Sequence, residues 1–301
     1  MRQACASMIE DALRALEPEL GPAETVPVPL AGGRTNRNYR VRLGGRDCVV
    51  RLPGKDTELL GIDRGAERAA SVAAAALGIG PDVIAFEPER ECLVTGFIEA
   101  RPVPADELRE RVPEVAAALR AIHGGPALPA TFSPFERTAR YERTARERGG
   151  TIPAAYADVR AAADAIAAAL KDEPVPCHND LLTENFLDDG ERLRILDWEY
   201  AGMGNRFFDL GNFASHHDLG PDEEAALLAA YFGESTAARL AAVRLMRLMA
   251  AFWEGMWGVV QATCSELDID YMGYADEHLA KVRVSLADPG FESWLEDARA
   301  A

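Results

Sequence analysis

The order of its local sequence patterns is the feature that most constrains how this chain of 301 residues can fold. Between residues 24 and 97, short apolar runs of strand length are separated by turn residues, and one alanine-rich segment over 62–77 has helical spacing. The Gly44-Gly45 pair between two alternating runs is typical of a β-hairpin. Beyond residue 102 the spacing is helical almost throughout. This order predicts an α+β fold in which a small antiparallel sheet precedes a larger, mainly helical part.

The predicted elements divide the chain into an N-terminal lobe over 1–98 and a C-terminal lobe over 99–301, with a hinge near 97–102. Pro113 lies inside one predicted helix, which should therefore kink or split. Helices are predicted over 3–17, 62–77, 106–123, 135–148, 153–170, 206–216, 222–231, 236–262 and 273–286. Strands are predicted over 25–30, 38–43, 47–52, 83–86, 91–97, 175–177 and 193–196.

Composition and charge argue against several classes of protein. A hydrophobic share of 48% and a charged share of 27% are ordinary for a soluble globular protein. The net charge of −17 argues against a nucleic-acid partner or an anionic membrane surface. The five cysteines are scattered and lack C-x-x-C spacing, so neither a disulfide framework nor a zinc site is expected. With no signal-peptide core and no apolar run of membrane-spanning length, we expect a cytoplasmic protein without membrane insertion.

One short stretch carries a pattern that phosphoryl transfer requires. His178, Asp180 and Asn185 follow the spacing H-x-D-x-x-x-x-N, and Asp197 comes soon afterwards at the end of an apolar run. An aspartate at the second position can accept the proton of an attacking hydroxyl, and an asparagine and a second aspartate are hard oxygen ligands for Mg²⁺. Each residue alone would be explained as a helix cap or a strand end. Together they predict a phosphotransferase, with Asp180 as base and Asn185 and Asp197 as metal ligands.

The first lobe contains candidate groups for holding the phosphates of a nucleotide. Arg51 on the third predicted strand can contact phosphate oxygens, and Glu67 on the following helix can hold it in place. The alternative is an ordinary surface arginine. A turn of small residues over 31–39 lets backbone N–H groups approach phosphates, although turns of this kind without a ligand are commoner. The candidate residues in this turn are Gly33, Thr35, Asn36 and Asn38.

Together these features resemble the choline/ethanolamine kinase family, a relative of the aminoglycoside phosphotransferases with a two-lobed, protein-kinase-like fold. The resemblance covers almost the whole chain, and its most discriminating part is the aromatic set near the C-terminus. The motifs that carry it are the turn over 32–38, the segments 49–54 and 62–64 with Glu67, and the stretches 178–187, 197–200, 208–212, 257–261 and 271–275.

The resemblance implies an acceptor pocket for an ammonium group. Trp257 and Tyr274 would form its wall and Glu199 would add negative charge, because a quaternary ammonium can be selected only by aromatic faces and carboxylates. In the animal-type pattern a second tryptophan stands three residues before the first, where this chain has Glu254. The pocket could therefore keep a shifted aromatic box or use a carboxylate that prefers a primary amine. Tyr200, Trp253 and Gln261 complete the predicted acceptor-binding set.

Three further residues have predicted supporting roles. The resemblance places Asp209 beneath the catalytic loop, which it would support through hydrogen bonds. His178 is expected to orient the same loop without transferring a proton. His123 is expected to cap the C-terminus of its helix.

The sequence thus predicts an ATP- and Mg²⁺-dependent kinase acting on a small amino alcohol, choline or ethanolamine. One alternative is a phosphotransferase for aminoglycosides or another small molecule, which would need an open cleft with many carboxylates. The other is an inactive nucleotide-binding module, although all expected catalytic groups are present. We expect a monomer or a homodimer. The choice between ATP and GTP stays open.

Overall fold

The computed structural model describes residues 2–30, 35–154, 156–267 and 269–301, and side chains from residue 8 onward. The helices are α1 (Arg2–Leu20), α2 (Arg64–Ala76), α3 (Ala105–Glu110), α4 (Val112–His123), α5 (Pro134–Glu147), α6 (Tyr156–Ala169), α7 (Arg206–His216), α8 (Pro221–Phe232), α9 (Ala237–Cys264), α10 (Tyr271–Leu286) and α11 (Phe291–Asp297). The strands are β1 (Val28–Pro29), β2 (Arg37–Leu43), β3 (Arg46–Leu52), β4 (Val83–Glu87), β5 (Cys92–Gly96), β6 (Arg101–Pro102), β7 (Val175–Cys177), β8 (Phe186–Asp188), β9 (Leu193–Ile195) and β10 (Gly202–Gly204).

A five-stranded antiparallel sheet forms the core of the first lobe, with strand order β1-β2-β3-β5-β4. β2 and β3 form the hairpin predicted from the two glycines, and Gly44 and Gly45 adopt positive φ angles of 53° and 74° that a two-residue turn of this kind requires. Alternate strand side chains such as Val41 and Val50 are buried against Ile9 and Leu16 of α1. The predicted α+β fold, a small antiparallel sheet followed by a larger, mainly helical part, is confirmed.

The larger hydrophobic core surrounds α9, a helix of 28 residues. Two glycines allow neighbouring helices to approach it closely. A Cβ at Gly211 of α7 would lie 2.6 Å from the backbone nitrogen of Arg247, and one at Gly258 of α9 would lie 2.8 Å from the carbonyl oxygen of Tyr271. Neither position has room for a side chain. The close approach holds α7 and α10 against α9, which is the arrangement that builds the site described below.

The larger core also contains residues from the first part of the chain. A short helical turn at 57–60, helix α2 and the residues around them contribute buried side chains to it. These side chains are Leu60, Ile62, Ala70, Ala74 and Ile79. The division of the chain at residue 98 remains a prediction, since this segment before the hinge packs with the helices that follow it.

Several element boundaries differ from the predictions for identifiable reasons. α1 continues past Pro18 to Leu20, because a proline this close to the helix end removes only one backbone hydrogen bond. The helix predicted over 106–123 is split into α3 and α4, with Pro113 in the first turn of the second. α11 was not predicted, since it has seven residues and no fully buried side chain. None of the described helices combines the length and apolarity needed to span a bilayer.

Two short sheets position the predicted catalytic stretch, the loop that begins at His178 and the later Asp197. β7 pairs with β10 and ends at Cys177, directly before the loop that begins at His178. β8 pairs with both β6 and β9, and β9 ends at Ile195, two residues before Asp197. The loop and the second aspartate are therefore fixed by neighbouring strand ends.

Candidate active site

Helix α7 holds the backbone of the loop that begins at His178. The buried carboxylate of Asp209 accepts hydrogen bonds from the backbone N–H groups of His178 (2.8 Å) and Asn179 (2.6 Å). One turn further along α7, Asn212 Oδ1 accepts the backbone N–H of Leu181 (2.6 Å). Three successive contacts thus fix the loop to one helix face, which explains why this helix carries buried polar residues at that face.

The ring of His123 supports this arrangement from the other side of Asp209. Its Nε2 lies 2.9 Å from Asp209 Oδ2, and its Nδ1 lies 2.6 Å from the hydroxyl of Tyr231. Both ring nitrogens are therefore engaged away from the last carbonyls of α4. The prediction that His123 caps its helix is wrong, because the buried carboxylate of Asp209 offers the ring a stronger partner.

His178 is held as a neutral ring in one tautomer. Its Nδ1 accepts the backbone N–H of Asp180 (3.1 Å), so the proton must lie on Nε2, which donates to the carbonyl oxygen of Leu196 (2.9 Å). Burial lowers the pKa of His178 and favours this neutral form. The ring connects the loop to the residue before Asp197 and packs edge-on against Trp198, with 4.6 Å between ring centroids. It is placed to orient the loop.

The three predicted catalytic residues line one cavity of about 290 Å³. Asn185 donates from Nδ2 to the backbone carbonyl of Asp180 (2.9 Å), which fixes the orientation of its amide group. Asp180 is only 7% exposed. Burial raises the pKa of Asp180 well above its usual value, and the negative charges of Glu254 and Asp197 raise it further. The cavity therefore concentrates carboxylates around the predicted base.

Asp197 occupies a strained backbone conformation beside an arginine. Its φ angle is 63°, in the left-handed region that aspartate tolerates better than most residues. Arg51 Nη1 donates to Asp197 Oδ1 (2.9 Å) and also contacts Glu67. Although burial opposes the charge of Arg51, Asp197 and Glu67 raise its pKa above the usual value. The strand arginine and the helix glutamate are thus in contact, as predicted from their order, and the second aspartate lies beside them.

Arg64 adds a second link across the cleft that sequence reasoning did not select. Its Nη1 donates to Glu67 Oε2 (2.7 Å) and to Glu199 Oε2 (3.0 Å), and its Nη2 donates to Asn36 Oδ1 (2.8 Å). Asn36 Nδ2 in turn donates to Glu199 Oε2 (2.7 Å). Its sequence signals were its place in the motif segment 62–64 and its position at the start of α2, three residues before Glu67. Its partner Glu199 lies 135 residues away in the sequence.

The predicted nucleotide-contacting residues of the turn differ in whether they line the cavity. Thr35 lines the cavity, whereas the amide of Asn36 is occupied by Arg64 and Glu199. Asn38 stands opposite Arg51 in the strand ladder, and no described residue donates to its buried Oδ1. Gly33 lies outside the described residues. Among the predicted turn residues that the structure describes, Thr35 therefore lines the same cavity as the catalytic loop.

The opposite wall of the cavity is built by α9, α10 and the segment after Asp197. Trp257 Nε1 donates to the hydroxyl of Tyr200 (3.0 Å), and its ring lies 5.6 Å from that of Tyr274 at an interplanar angle of 71°. The hydroxyl of Tyr274 donates to Glu254 Oε2 (2.6 Å). Five of the seven predicted acceptor residues line the cavity with their side chains in these positions: Glu199, Tyr200, Glu254, Trp257 and Tyr274.

The other two predicted acceptor residues are placed less directly. Trp253 touches the cavity but is only 1% exposed, because Phe132, Phe208 and Tyr200 pack against its ring at centroid distances of 5.0 to 6.1 Å. Gln261 lies one turn beyond Trp257 on α9 and lines a separate cavity of about 310 Å³. The structure thus assigns most of the surface of Trp253 to the core and does not bring Gln261 into the acceptor pocket.

Two carboxylates on this wall have opposite electrostatic surroundings. Burial and the neighbouring charge of Asp197 raise the pKa of Glu199 to about 7. Burial would also raise the pKa of Glu254, but His216, His278 and Tyr274 together lower it below its usual value. Glu254 is therefore the carboxylate that stays ionised.

Comparisons with known proteins give the class of this chain. The sequence profile of the phosphotransferase enzyme family matches residues 27–243. A solved structure of a choline/ethanolamine kinase family protein from Mesorhizobium loti is 30% identical, with a TM-score of 0.82 over 98% of this chain and 100% of the other. The human choline/ethanolamine kinase is 24% identical over 91% of this chain and 82% of that protein. Protein LicA of Haemophilus influenzae is 24% identical over 70% of this chain, which spans 64% of that protein's length.

The fold and the profile match define a phosphotransferase of the kinase type. The chain belongs to the choline/ethanolamine kinase family, and the resemblance predicted from its motifs is confirmed.

Proposed function

We propose that this enzyme transfers the γ-phosphoryl group of ATP to the hydroxyl of a small amino alcohol, choline or ethanolamine, in the cytoplasm and with Mg²⁺ as the metal. The observation that carries the proposal is that one cavity contains both Asp180 of the catalytic loop and the wall formed by Trp257, Tyr274 and Glu254. A hydroxyl placed at Asp180 therefore belongs to a molecule whose other end meets aromatic rings and carboxylates. Those groups suit a cation.

Asp180 is the proposed proton acceptor. As the acceptor oxygen attacks the γ-phosphorus, the hydroxyl proton passes to Asp180, the new O–P bond forms and the bond to the β-phosphate oxygen breaks, which releases ADP. The raised pKa of Asp180 makes it a stronger base than an exposed carboxylate. A cationic acceptor in the same cavity lowers that pKa again and so favours the ionised form before proton transfer.

The donor set beside Asp180 fits a magnesium ion. Asn185 offers an amide oxygen and Asp197 a carboxylate, which are the hard ligands that Mg²⁺ prefers, and the crowding of carboxylates around Asp180 is a surplus of negative charge that a divalent cation offsets. When bound, Mg²⁺ would neutralise charge that develops on the phosphates. Arg51, held by Glu67, is placed to contact phosphate oxygens from the first lobe.

Cavity size separates a small amino alcohol from a bulkier acceptor. A volume of about 290 Å³ is at the low end for small-molecule sites. Side chains of α9 and α10 bound this cavity on the acceptor side. A small acceptor is therefore favoured by the same residues that supply its cation-binding groups.

The proposal is tested by Mg²⁺-dependent turnover of ATP with a panel of acceptors. The panel contains ethanolamine, choline, an aminoglycoside and an alcohol of similar size without an amine, and phosphorylated products are identified by mass spectrometry. We expect product with an amino alcohol, none without Mg²⁺, and at most weak activity with the neutral alcohol. Equal turnover of the neutral alcohol would refute a cation-binding pocket, and product with the aminoglycoside alone would assign the other acceptor class.

A further inference from the structure

We propose that Arg64 couples the binding of the two substrates. It is a positioning residue that joins the turn at 35–36, on the side of the nucleotide, to Glu199 on the acceptor wall, so that each substrate strengthens the binding of the other. This inference rests on the proposed function, since it concerns the two substrates of the same reaction. It goes further by assigning a role to a buried side chain that does not itself line the catalytic cavity.

Arg64 is enclosed between separate parts of the chain. It is the first residue of α2 and is only 6% exposed. Its Nη2 donates to Asn36 Oδ1 in the turn (2.8 Å), and its Nη1 donates to Glu199 Oε2 (3.0 Å). Asn36 Nδ2 donates to the same oxygen of Glu199 (2.7 Å). The three side chains therefore form a closed ring of hydrogen bonds in which each one contacts the other two.

Two members of this hydrogen-bond ring adjoin the catalytic cavity. Thr35, the residue before Asn36, lines the cavity, and Glu199 lines it as part of the acceptor wall. Asn36 and Glu199 are both buried, so water competes little for their hydrogen bonds. A displacement of the turn must therefore move Glu199 as well, or else leave buried polar groups without partners at a cost in free energy.

The same arginine is also joined to the arginine proposed to contact the phosphates. Arg64 Nη1 donates to Glu67 Oε2 (2.7 Å), and the other oxygen of Glu67 contacts Arg51. Arg51 in turn donates to Asp197 Oδ1 (2.9 Å). One guanidinium group thus holds an amide and two carboxylates at once, which a planar, forked donor can do and the point charge of a lysine cannot.

A shared element of this kind makes two ligands bind cooperatively. When both ligands favour the same arrangement of the element, each strengthens the binding of the other by the same factor. The phosphates of the nucleotide act on the turn and on Arg51, and the ammonium group of the acceptor acts on Glu199. Trp257 has no contact with Arg64 in the described chain, so its substitution should weaken acceptor binding and leave the coupling factor unchanged.

The deciding experiment measures this coupling factor by calorimetric titration of a non-hydrolysable ATP analogue and of the amino alcohol, each with and without the other, in the presence of Mg²⁺. In the wild type, each ligand should bind about fivefold or more tightly when the other is present, the lower end of the usual range for coupled sites. Arg64→Met should bring the factor close to one. A factor of one in the wild type, or an unchanged factor in R64M, would overturn the proposal.

Arg68→Met is the matched control. Arg68 lies on α2 one turn beyond Arg64, is exposed, and extends over the ring of Phe86 instead of towards the cleft. Its removal should leave the coupling factor at the wild-type value. A loss of coupling in R68M equal to that in R64M would mean that any change in α2 has this effect and that the hydrogen-bond ring has no specific role.

Two further variants keep the test decisive if R64M does not fold. Arg64→Lys keeps the positive charge but not the forked geometry, so it should lose most of the coupling while its melting temperature stays closer to that of the wild type. Asn36→Ala removes the turn's member of the hydrogen-bond ring and should lower the factor in the same way. Coupling at the wild-type value in both variants would leave Arg64 with a structural role alone.

Hydrogen exchange in the ligand-free enzyme separates failure of this inference from failure of the proposed function. R64K should exchange amide hydrogens faster than the wild type in peptides that cover residues 35–38 and in those that cover residues 198–201, whereas R68M should not. If no amino alcohol binds or is phosphorylated, the proposed function fails. The exchange rates still decide whether Arg64 joins the two walls, and rates equal to those of the wild type would show that it does not.

Discussion

The two walls of the catalytic cavity differ in how their charges are compensated. On the side of the first lobe, Arg51 and Arg64 are paired with Glu67 and Asp197, and Arg64 also pairs with Glu199 of the acceptor wall, so each of these charges meets an opposite one within the protein. On the acceptor side, no arginine or lysine of the described chain pairs with Asp180 or Glu254. One wall is therefore organised before any ligand binds, whereas the other acquires its counter-charges from the ligands.

This difference indicates which wall of the cavity gains ionic interactions when a ligand binds. Interactions within the paired wall exist in the free enzyme and fix the position of the phosphate-contacting arginine. On the acceptor wall, the ionic interactions of Asp180 and Glu254 with a cationic ligand form only when that ligand binds, and they lower the pKa of the base at the same time. Substitutions on the acceptor wall should consequently affect acceptor binding and proton transfer separately from nucleotide binding.

Asp180→Asn should have the largest effect on catalysis, because it removes the base while keeping the shape of the acceptor wall. We expect kcat to fall by about 10²–10⁴-fold. Binding of ATP should be unchanged in a fluorescence or calorimetric titration. A variant that retained more than roughly a tenth of the wild-type kcat would place the base elsewhere.

Asp197→Ala removes a residue that both walls share, since its carboxylate contacts Arg51 and also lines the cavity. The concentration of Mg²⁺ needed for half-maximal activity should rise on the order of 100-fold, because even residues behind metal ligands alter affinity by about 10–100-fold. Asp189→Ala is the control: that carboxylate lies in the β8–β9 turn and pairs with Arg194. Equal Mg²⁺ requirements in the two variants would exclude Asp197 as a ligand.

Trp257→Leu tests whether the acceptor wall binds a cation through its aromatic surface. A desolvated cation–π contact contributes about 2 kcal/mol, so KM for the amino alcohol should rise roughly thirtyfold while KM for ATP stays near wild type. Phe252→Leu on the same helix provides the control, because Phe252 packs on Tyr156 in the core and does not line the cavity. If Trp257→Leu lowered only the melting temperature, as expected for the control, Trp257 would be a core residue.

His278→Gln tests how strongly burial lowers the pKa of His278, a residue of α10 behind the acceptor wall. Burial lowers the pKa of His278 to about 4 from an ordinary value of 6.5, despite the nearby charge of Glu254. Between these two values the unfolded chain binds a proton that the folded chain does not, so wild-type stability should fall as pH decreases from about 6.5 to about 4. Urea unfolding at several pH values should show a shallower fall in the variant, by at most about 1.4 kcal/mol per pH unit.

Sequence reasoning recognised residues that lie within local motifs. It missed contacts between side chains that are far apart in the sequence. The catalytic loop and Asp197 were recognisable because strand ends and loop spacing place them together within twenty residues. The pairing of Arg64 with Glu199 joins residues far apart in the chain, and nothing in the spacing of their two motifs indicates that they meet. Gln261 shares a helical face with Trp257, but the direction in which α9 leaves the cavity depends on its packing against α10, which periodicity does not contain.

The segment of residues 57–79 described above belongs to the larger core although it lies between strands β3 and β4 of the small sheet. The chain thus leaves the first sheet, contributes five buried side chains to the helical core, and returns to complete the sheet. Neither half can lose its order without exposing apolar surface of the other. Heat should therefore unfold the molecule in one cooperative transition, with coincident calorimetric and van't Hoff enthalpies, rather than melting its two lobes in turn.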